Sequence, residues 1–105
     1  MAFNEVVRYY PKSPYALDAY HRMQYLRQMI ARQSLLLAQL YYDRDAYVAA
    51  INRAAVVVQH FDGTPSVIGA LDLMVRAYNR LGLKKKAAYV QSVLVAAQRH
   101  AANQG

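Results

Sequence analysis

Glycine and proline together fill only seven of the 105 positions, which leaves few places where the backbone can change course. Most of them read as helix punctuation. Ser13-Pro14 and Thr64-Pro65 each set a hydroxyl that can cap a helix before a proline at the first helical position. Asp62-Gly63 and Leu81-Gly82 read as helix ends, with glycine free to take the left-handed conformation a C-cap needs. These marks predict five helices, at about 2–10, 14–43, 45–61, 65–81 and 84–101, and no strand. The connections are so short that successive helices must be antiparallel neighbours. The expected fold class is therefore all-α, built as stacked antiparallel helical hairpins in one domain over 1–105.

The second helix is the longest and would span about 43 Å at its rise per residue. Along it Ala19, Met23, Leu26, Ile30, Gln33, Leu37 and Leu40 recur at alternating spacings of four and three. That is one nearly continuous apolar stripe, suited to a spine for the array. Asp18 and Arg22, and again Asp72 and Arg76, stand four apart with the acid first, the favourable order for a helical ion pair.

An internal repeat fits the same picture. A shift of 37 residues sets Tyr41 on Tyr78, Asp45 on Gly82 and Ala50 on Ala87. A shift of 51 sets Val6-Val7 on Val57-Val58, Tyr10 on Phe61 and Ser13-Pro14 on Thr64-Pro65. An aromatic residue one turn before a bend and a small residue where two helices cross describe a slightly stretched TPR unit.

Composition narrows the possible functions. Ten tyrosines, no tryptophan and abundant alanine suit close-packed helices that keep apolar surface for a partner. Without cysteine there is neither a disulfide framework nor a thiolate metal site. No run of about 18 apolar residues could span a membrane. The amino terminus opens inside a helical pattern without the features of a signal peptide, which suggests a piece of a longer chain. A net charge of +7 admits nucleic acid, anionic lipid or an acidic protein face as partner. The basic residues are scattered around the helices rather than striped, which argues against nucleic acid.

No constellation for catalysis or cofactor binding emerges. His21, His60 and His100 fall on different helices, none with a second ligand three or four residues away, so no metal is expected. No serine sits in a nucleophile elbow, and the four glycines never approach a phosphate-loop spacing. Asp43 and Asp45 bracket a tight turn and read as caps of backbone amides rather than as an acid–base pair. Lys84, Lys85 and Lys86 open the last helix against its dipole, either as a solvated turn or as a contact for an acidic partner or lipid headgroups.

The informative face lies on the helix at 45–61. Ala50, Ala54, Val57 and Phe61, with Tyr47, Ile51 and Val58 beside them, form its core side. On the far side stand Ala49, Arg53, Val56 and His60, small apolar residues around a guanidinium where a polar back would be expected. Such a ridge lets another surface approach while a carboxylate pairs with Arg53; it equally suits packing against a neighbouring hairpin. Arg76 and Arg80, four apart, add positive charge farther along.

Several runs carry a family resemblance. Arg8-Tyr9-Tyr10-Pro11-Lys12-Ser13-Pro14-Tyr15-Ala16, Arg22-Met23-Gln24-Tyr25-Leu26-Arg27, the stretch from Tyr41-Tyr42 through Ala46-Tyr47-Val48-Ala49-Ala50-Ile51-Asn52-Arg53-Ala54, and Ala77-Tyr78-Asn79-Arg80-Leu81-Gly82-Leu83 resemble the C-terminal TPR segments of the BamD family. The similarity runs over about residues 2–95, and its alanine-rich run around Asn52-Arg53 goes beyond what a generic TPR requires.

The resemblance implies a non-catalytic scaffold for outer-membrane β-barrel assembly in Gram-negative bacteria. It would sit at the periplasmic face of the outer membrane, held there only by a lipid anchor upstream of this chain. It further implies docking on the last POTRA domain of BamA and on accessory lipoproteins of the same machine, with Arg53 of the Asn52-Arg53 pair meeting an acidic POTRA residue. The family's N-terminal repeats, which receive clients, have no counterpart here, and Asp62-Gly63 replaces the usual Tyr-Pro. The other reading of the residues is an unrelated TPR adaptor that holds an acidic peptide in its groove.

Overall fold

The computed structural model describes residues 14–104, and places in them four helices and no strand. They are α1 (Pro14–Asp43), α2 (Tyr47–His60), α3 (Ser66–Arg80) and α4 (Lys84–Gln104). The helix expected at 2–10 and the Ser13 cap lie outside the described residues. The span expected at 14–43 is reproduced, α2 and α3 are slightly shorter than 45–61 and 65–81, and α4 runs past 101. Each helix packs on the next, and α1 also reaches α3, which is the TPR-like arrangement of hairpins laid side by side.

The helices can lie close because alanine fills the crossings. Ala31 and Ala38 from α1, Ala50 and Ala54 from α2 and Ala70 from α3 are wholly buried, with Val57 and Leu73 the bulkiest residues among them. Side chains of one carbon let neighbouring backbones approach to the short end of the usual interaxial range of about 8–10 Å. At Gly69 the approach is tighter still: a Cβ there would sit 2.8 Å from Leu35 Cδ2. A second cluster, Leu71 with Val90 and Leu94, fastens α4 to α3.

One expectation needs correcting. Of the stripe Ala19, Met23, Leu26, Ile30, Gln33, Leu37 and Leu40, Ala19 is buried and Met23 and Leu37 half-buried, but the rest turns away from the core: Leu26 and Ile30 are each 48% exposed and Leu40 43%. The row that meets α2 and α3 is Ala31, Leu35, Ala38 and Tyr42, about a third of a turn away. Hydropathy ranks leucine and isoleucine above alanine, whereas close helix packing selects the small residue, so periodicity alone picks the wrong side of α1.

The bends repeat as the 37-residue shift predicts. After α1, Ala46 N–H bonds to Tyr41 C=O at 2.9 Å and Asp45 N–H to Tyr42 C=O at 3.0 Å, with Asp45 left-handed at φ 62°. After α3, Leu83 N–H bonds to Tyr78 C=O at 2.9 Å and Gly82 N–H to Asn79 C=O at 3.0 Å, with Gly82 at φ 76°. Both are Schellman ends, position for position, and each next helix buries an alanine, Ala50 or Ala87, at its first turn against the bend.

The carboxylates of Asp43 and Asp45 do not cap amides as the sequence suggests. Asp43 Oδ1 accepts from Gln39 Nε2 and Asp45 Oδ1 from the Tyr47 hydroxyl, each at 2.9 Å. The middle bend also departs from expectation. Thr64 is buried, and its hydroxyl donates to Phe61 C=O at 2.7 Å instead of capping α3, which has no side-chain cap. The hydroxyl thus satisfies a carbonyl at the end of α2.

Replacing Leu73 with alanine should cost about 2–5 kcal/mol of stability in urea denaturation, since the site lies among residues that cannot collapse inward. Gly82→Ala should cost about 1–2 kcal/mol by forcing a Cβ into the left-handed region, with helical content unchanged by circular dichroism.

Candidate interaction surface

Helix α2 presents its outer side as the sequence suggests, with graded exposure. Ala50, Ile51, Ala54 and Val57 are buried, while Tyr47, Val58 and Phe61 are half-buried. Opposite them Ala49 and Val56 are half-buried, and Arg53, Asn52 and His60 are exposed. Among the described residues Arg53 makes no hydrogen bond or ion pair, so its guanidinium presents all of its donors to the outside. The two half-buried apolar residues leave a shallow floor beside it. This is a surface on which a carboxylate could be held in bidentate fashion while apolar atoms pack alongside.

Arg76 and Arg80 do not extend that ridge; they gather at the opposite end of α2 from His60, where α1 turns into α2. The Arg76 guanidinium lies 4.9 Å from the centroid of the Tyr42 ring, and Arg80 lies 5.8 Å from that of Tyr47. The two rings meet edge to face at 5.3 Å. Arg76 also pairs with Asp72 at 3.1 Å and reaches Gln39 Oε1 at 3.5 Å, which ties α3 to α1. The mutual repulsion of the two arginines is thus offset by quadrupolar attraction to two tyrosine faces. Asp18–Arg22, the other acid-first pair, is formed at 3.3 Å on the solvent side of α1.

The Tyr47 hydroxyl is held in its neutral form, above the ordinary tyrosine range, because it donates to the Asp45 carboxylate. A smaller opposing pull comes from Arg80. Arg80 itself is held yet more firmly protonated by its hydrogen bond with Tyr42 and the nearby Tyr47.

One linking residue escapes sequence reasoning. Arg27 of α1 donates to His60 C=O at 3.3 Å and Asp62 C=O at 3.2 Å and lies over the Phe61 ring at 6.0 Å. It closes the last turn of α2 from another helix. Nothing in the local pattern marks it, since its acceptors are backbone carbonyls more than thirty residues away. Lys84, Lys85 and Lys86 are exposed in the first turn of α4, which holds no acid to offset them. Lys85 and Lys86 border a groove of about 420 Å³ shared with Met74, Tyr78, Tyr89 and Val90.

Among the described residues no group of histidine and acidic side chains could hold a metal ion, and no helix is long and apolar enough to cross a membrane. Comparison with known proteins gives one consistent result. The family model YfiO, described as an outer membrane lipoprotein, matches residues 1–94. The outer membrane protein assembly factor BamD of Pasteurella multocida is 38% identical over 94 residues, covering 90% of this chain and 36% of that protein. The proteins of the same name from Haemophilus influenzae and Neisseria meningitidis serogroup A are 36% and 37% identical, each covering close to 90% of this chain and 35% of their own length. The chain therefore spans about a third of the curated relatives it matches, and these carry the name of an assembly factor, not of an enzyme.

The Tyr47–Asp45 bond carries a pH signature. A hydroxyl whose folded pKa is raised stabilises the fold fully below the ordinary tyrosine value, and that contribution is lost as pH rises through the folded value. Unfolding midpoints should accordingly fall more steeply above about pH 10 in the parent chain than in Tyr47→Phe. Parallel curves for the two would show that the hydrogen bond contributes nothing.

Proposed function

The chain belongs to the YfiO outer membrane lipoprotein family, and from that membership we propose that it serves as a non-catalytic scaffold in the assembly and insertion of outer-membrane β-barrel proteins. The observation that carries the mechanism is the outer side of α2, where an exposed Arg53, unpaired among the described residues, stands beside the half-buried Ala49 and Val56. In this reading it docks on a POTRA domain of BamA, with Arg53 gripping a carboxylate and Asn52 and His60 at the edge of the contact. Accessory lipoproteins of the machine meet the same array, and the tyrosine-backed Arg76 and Arg80 are the cationic side chains offered to them. The protein acts at the periplasmic face of the outer membrane, with attachment to the bilayer supplied by a lipid anchor.

The physical logic is that of a rigid bracket. Schellman ends at two bends and alanine at the crossings fix the angle between hairpins, so the docking ridge needs no ordering when a partner arrives. An exposed guanidinium gains little in water, but it gains more once a partner's apolar atoms close around it and remove solvent. Nucleic acid remains outside this proposal, because its only support is net charge. The alternative of an unrelated adaptor for acidic peptides loses its premise with the family membership.

Binding of this chain to isolated POTRA domains of BamA, measured by calorimetry, tests the role of Arg53. Arg53→Glu should weaken it by about tenfold or more, from the loss of about 1–3 kcal/mol of charge-assisted contact. The unfolding midpoint should stay near that of the parent, since Arg53 has no hydrogen-bond or ion-pair partner among the described residues. Equal affinities for the parent and Arg53→Glu would reject the anchor role.

A further inference from the structure

We propose that the α3–α4 bend is a membrane-contact tip, with Leu81 and Leu83 entering the headgroup layer of an anionic phospholipid bilayer and Lys84, Lys85 and Lys86 pairing with its phosphates. The proposal rests on the outer-membrane reading above, which puts a bilayer within reach of the chain. Charge points to an anionic partner. Asp72 is the last acid in the sequence; Arg76, Arg80, Lys84, Lys85, Lys86 and Arg99 follow it with no acid among them. At the bend itself the three lysines are exposed, and Leu81 and Leu83 are 38% and 41% exposed. The acids of the neighbouring bend are engaged locally: Asp43 accepts from Gln39 and Asp45 from Tyr47. Arg80 is held over the Tyr47 ring and stays outside the contact.

The shape selects a plane rather than a cleft. Successive residues of a helix turn by about 100°, so the three lysines spread over more than half of the α4 circumference while rising only about 3 Å. A partner laid along one side of α4 meets two of them at most, whereas a flat surface across the helix end meets all three. Leu81 and Leu83 flank Gly82 where the chain turns and stand out from the same end. An apolar pair ringed by long cationic side chains is how a protein seats in an interface, the leucines at the acyl boundary and the ammonium groups reaching the phosphates. The Gly82 and Leu83 N–H groups are already bonded to Asn79 and Tyr78 C=O, so entry into the headgroup layer strands neither amide.

The chain continues from the opposite edge of the array. The contact of Arg80 with Tyr47 sets the α3–α4 bend beside the α1–α2 bend on one edge. Pro14 lies at the other end of α1, about 43 Å from Asp43, and Gln104 at the other end of α4, about 30 Å from Lys84. Residues that precede the one or follow the other therefore depart from the far edge. Further hairpins of such an array stack on the sides of helices, not over the bends. The Arg53 ridge, on the side of α2, is not used by this contact.

Co-sedimentation of the full chain with vesicles at about 0.1 M salt is the first test. Vesicles with about 30% phosphatidylglycerol in phosphatidylcholine should retain it, pure phosphatidylcholine should not, and retention should fall as salt rises. Lys84→Gln, Lys85→Gln and Lys86→Gln combined should weaken binding by about 100-fold, at about fivefold per lysine, with helicity by circular dichroism unchanged. Absence of retention on the anionic vesicles, or a triple variant that binds them as the parent does, would overturn the proposal.

The absence of native tryptophan lets entry into the bilayer be read at single sites. Leu83→Trp should shift its emission to the blue on the anionic vesicles, while Gln98→Trp, about 21 Å along α4 from Lys84, should not. Equal shifts, or a shift at Gln98→Trp alone, would mean that another face meets the lipid and defeat the assignment. A lysine variant that keeps its vesicle binding but loses POTRA binding would make the tip a protein contact and overturn the proposal likewise. Vesicle binding is measured without POTRA domains and POTRA binding without lipid, so failure of the tip and failure of the scaffold reading remain separate results.

Discussion

Everything in this fold depends on how closely the helices approach, and that is set by alanine. Five alanines with no exposed surface line the crossings of α1, α2 and α3, and Leu73 and Val57 fill what is left between them. A core of this kind gains less from transfer of apolar area than one built on leucine and phenylalanine. It compensates through backbone proximity and the dispersion contacts that come with it. The same economy explains why so many large side chains remain outside: a chain with small residues at its crossings has leucine, tyrosine and valine left over for its surfaces.

That division decides what was legible in the sequence. The bends could be read, because they depend on local chemistry: Tyr41 and Tyr78, Asp45 and Gly82, Ala50 and Ala87 fall on equivalent positions of two superposable helix ends. The core side of α2 could be read too, since Ala50, Ala54 and Val57 recur on one face and are buried. The core side of α1 could not, because its apolar residues cover two sides of the helix and only the neighbours decide which one is filled. Thr64 illustrates a similar limit. A hydroxyl before proline can serve either the helix that follows or the one that precedes, and here it turns back to the Phe61 carbonyl.

The candidate surface was partly legible. Arg53, Ala49, Val56 and His60 share a side of α2 because helical geometry requires it, and the structure leaves that side open. Arg76 could be read as the partner of Asp72, but its place over Tyr42, and that of Arg80 over Tyr47, could not, since those rings come from other helices. Contacts between residues 33–37 apart in the chain carry no local signal.

Arg27 has a consequence for how the molecule would respond to force. Its guanidinium belongs to α1 but grips the carbonyls at the end of α2, so a push on the long helix is delivered to the far tip of its neighbour. A single flexible side chain thereby acts as a tie rod. Anything that shifts α1 along its axis would tilt the ridge that carries His60, making the orientation of one exposed surface sensitive to what touches another.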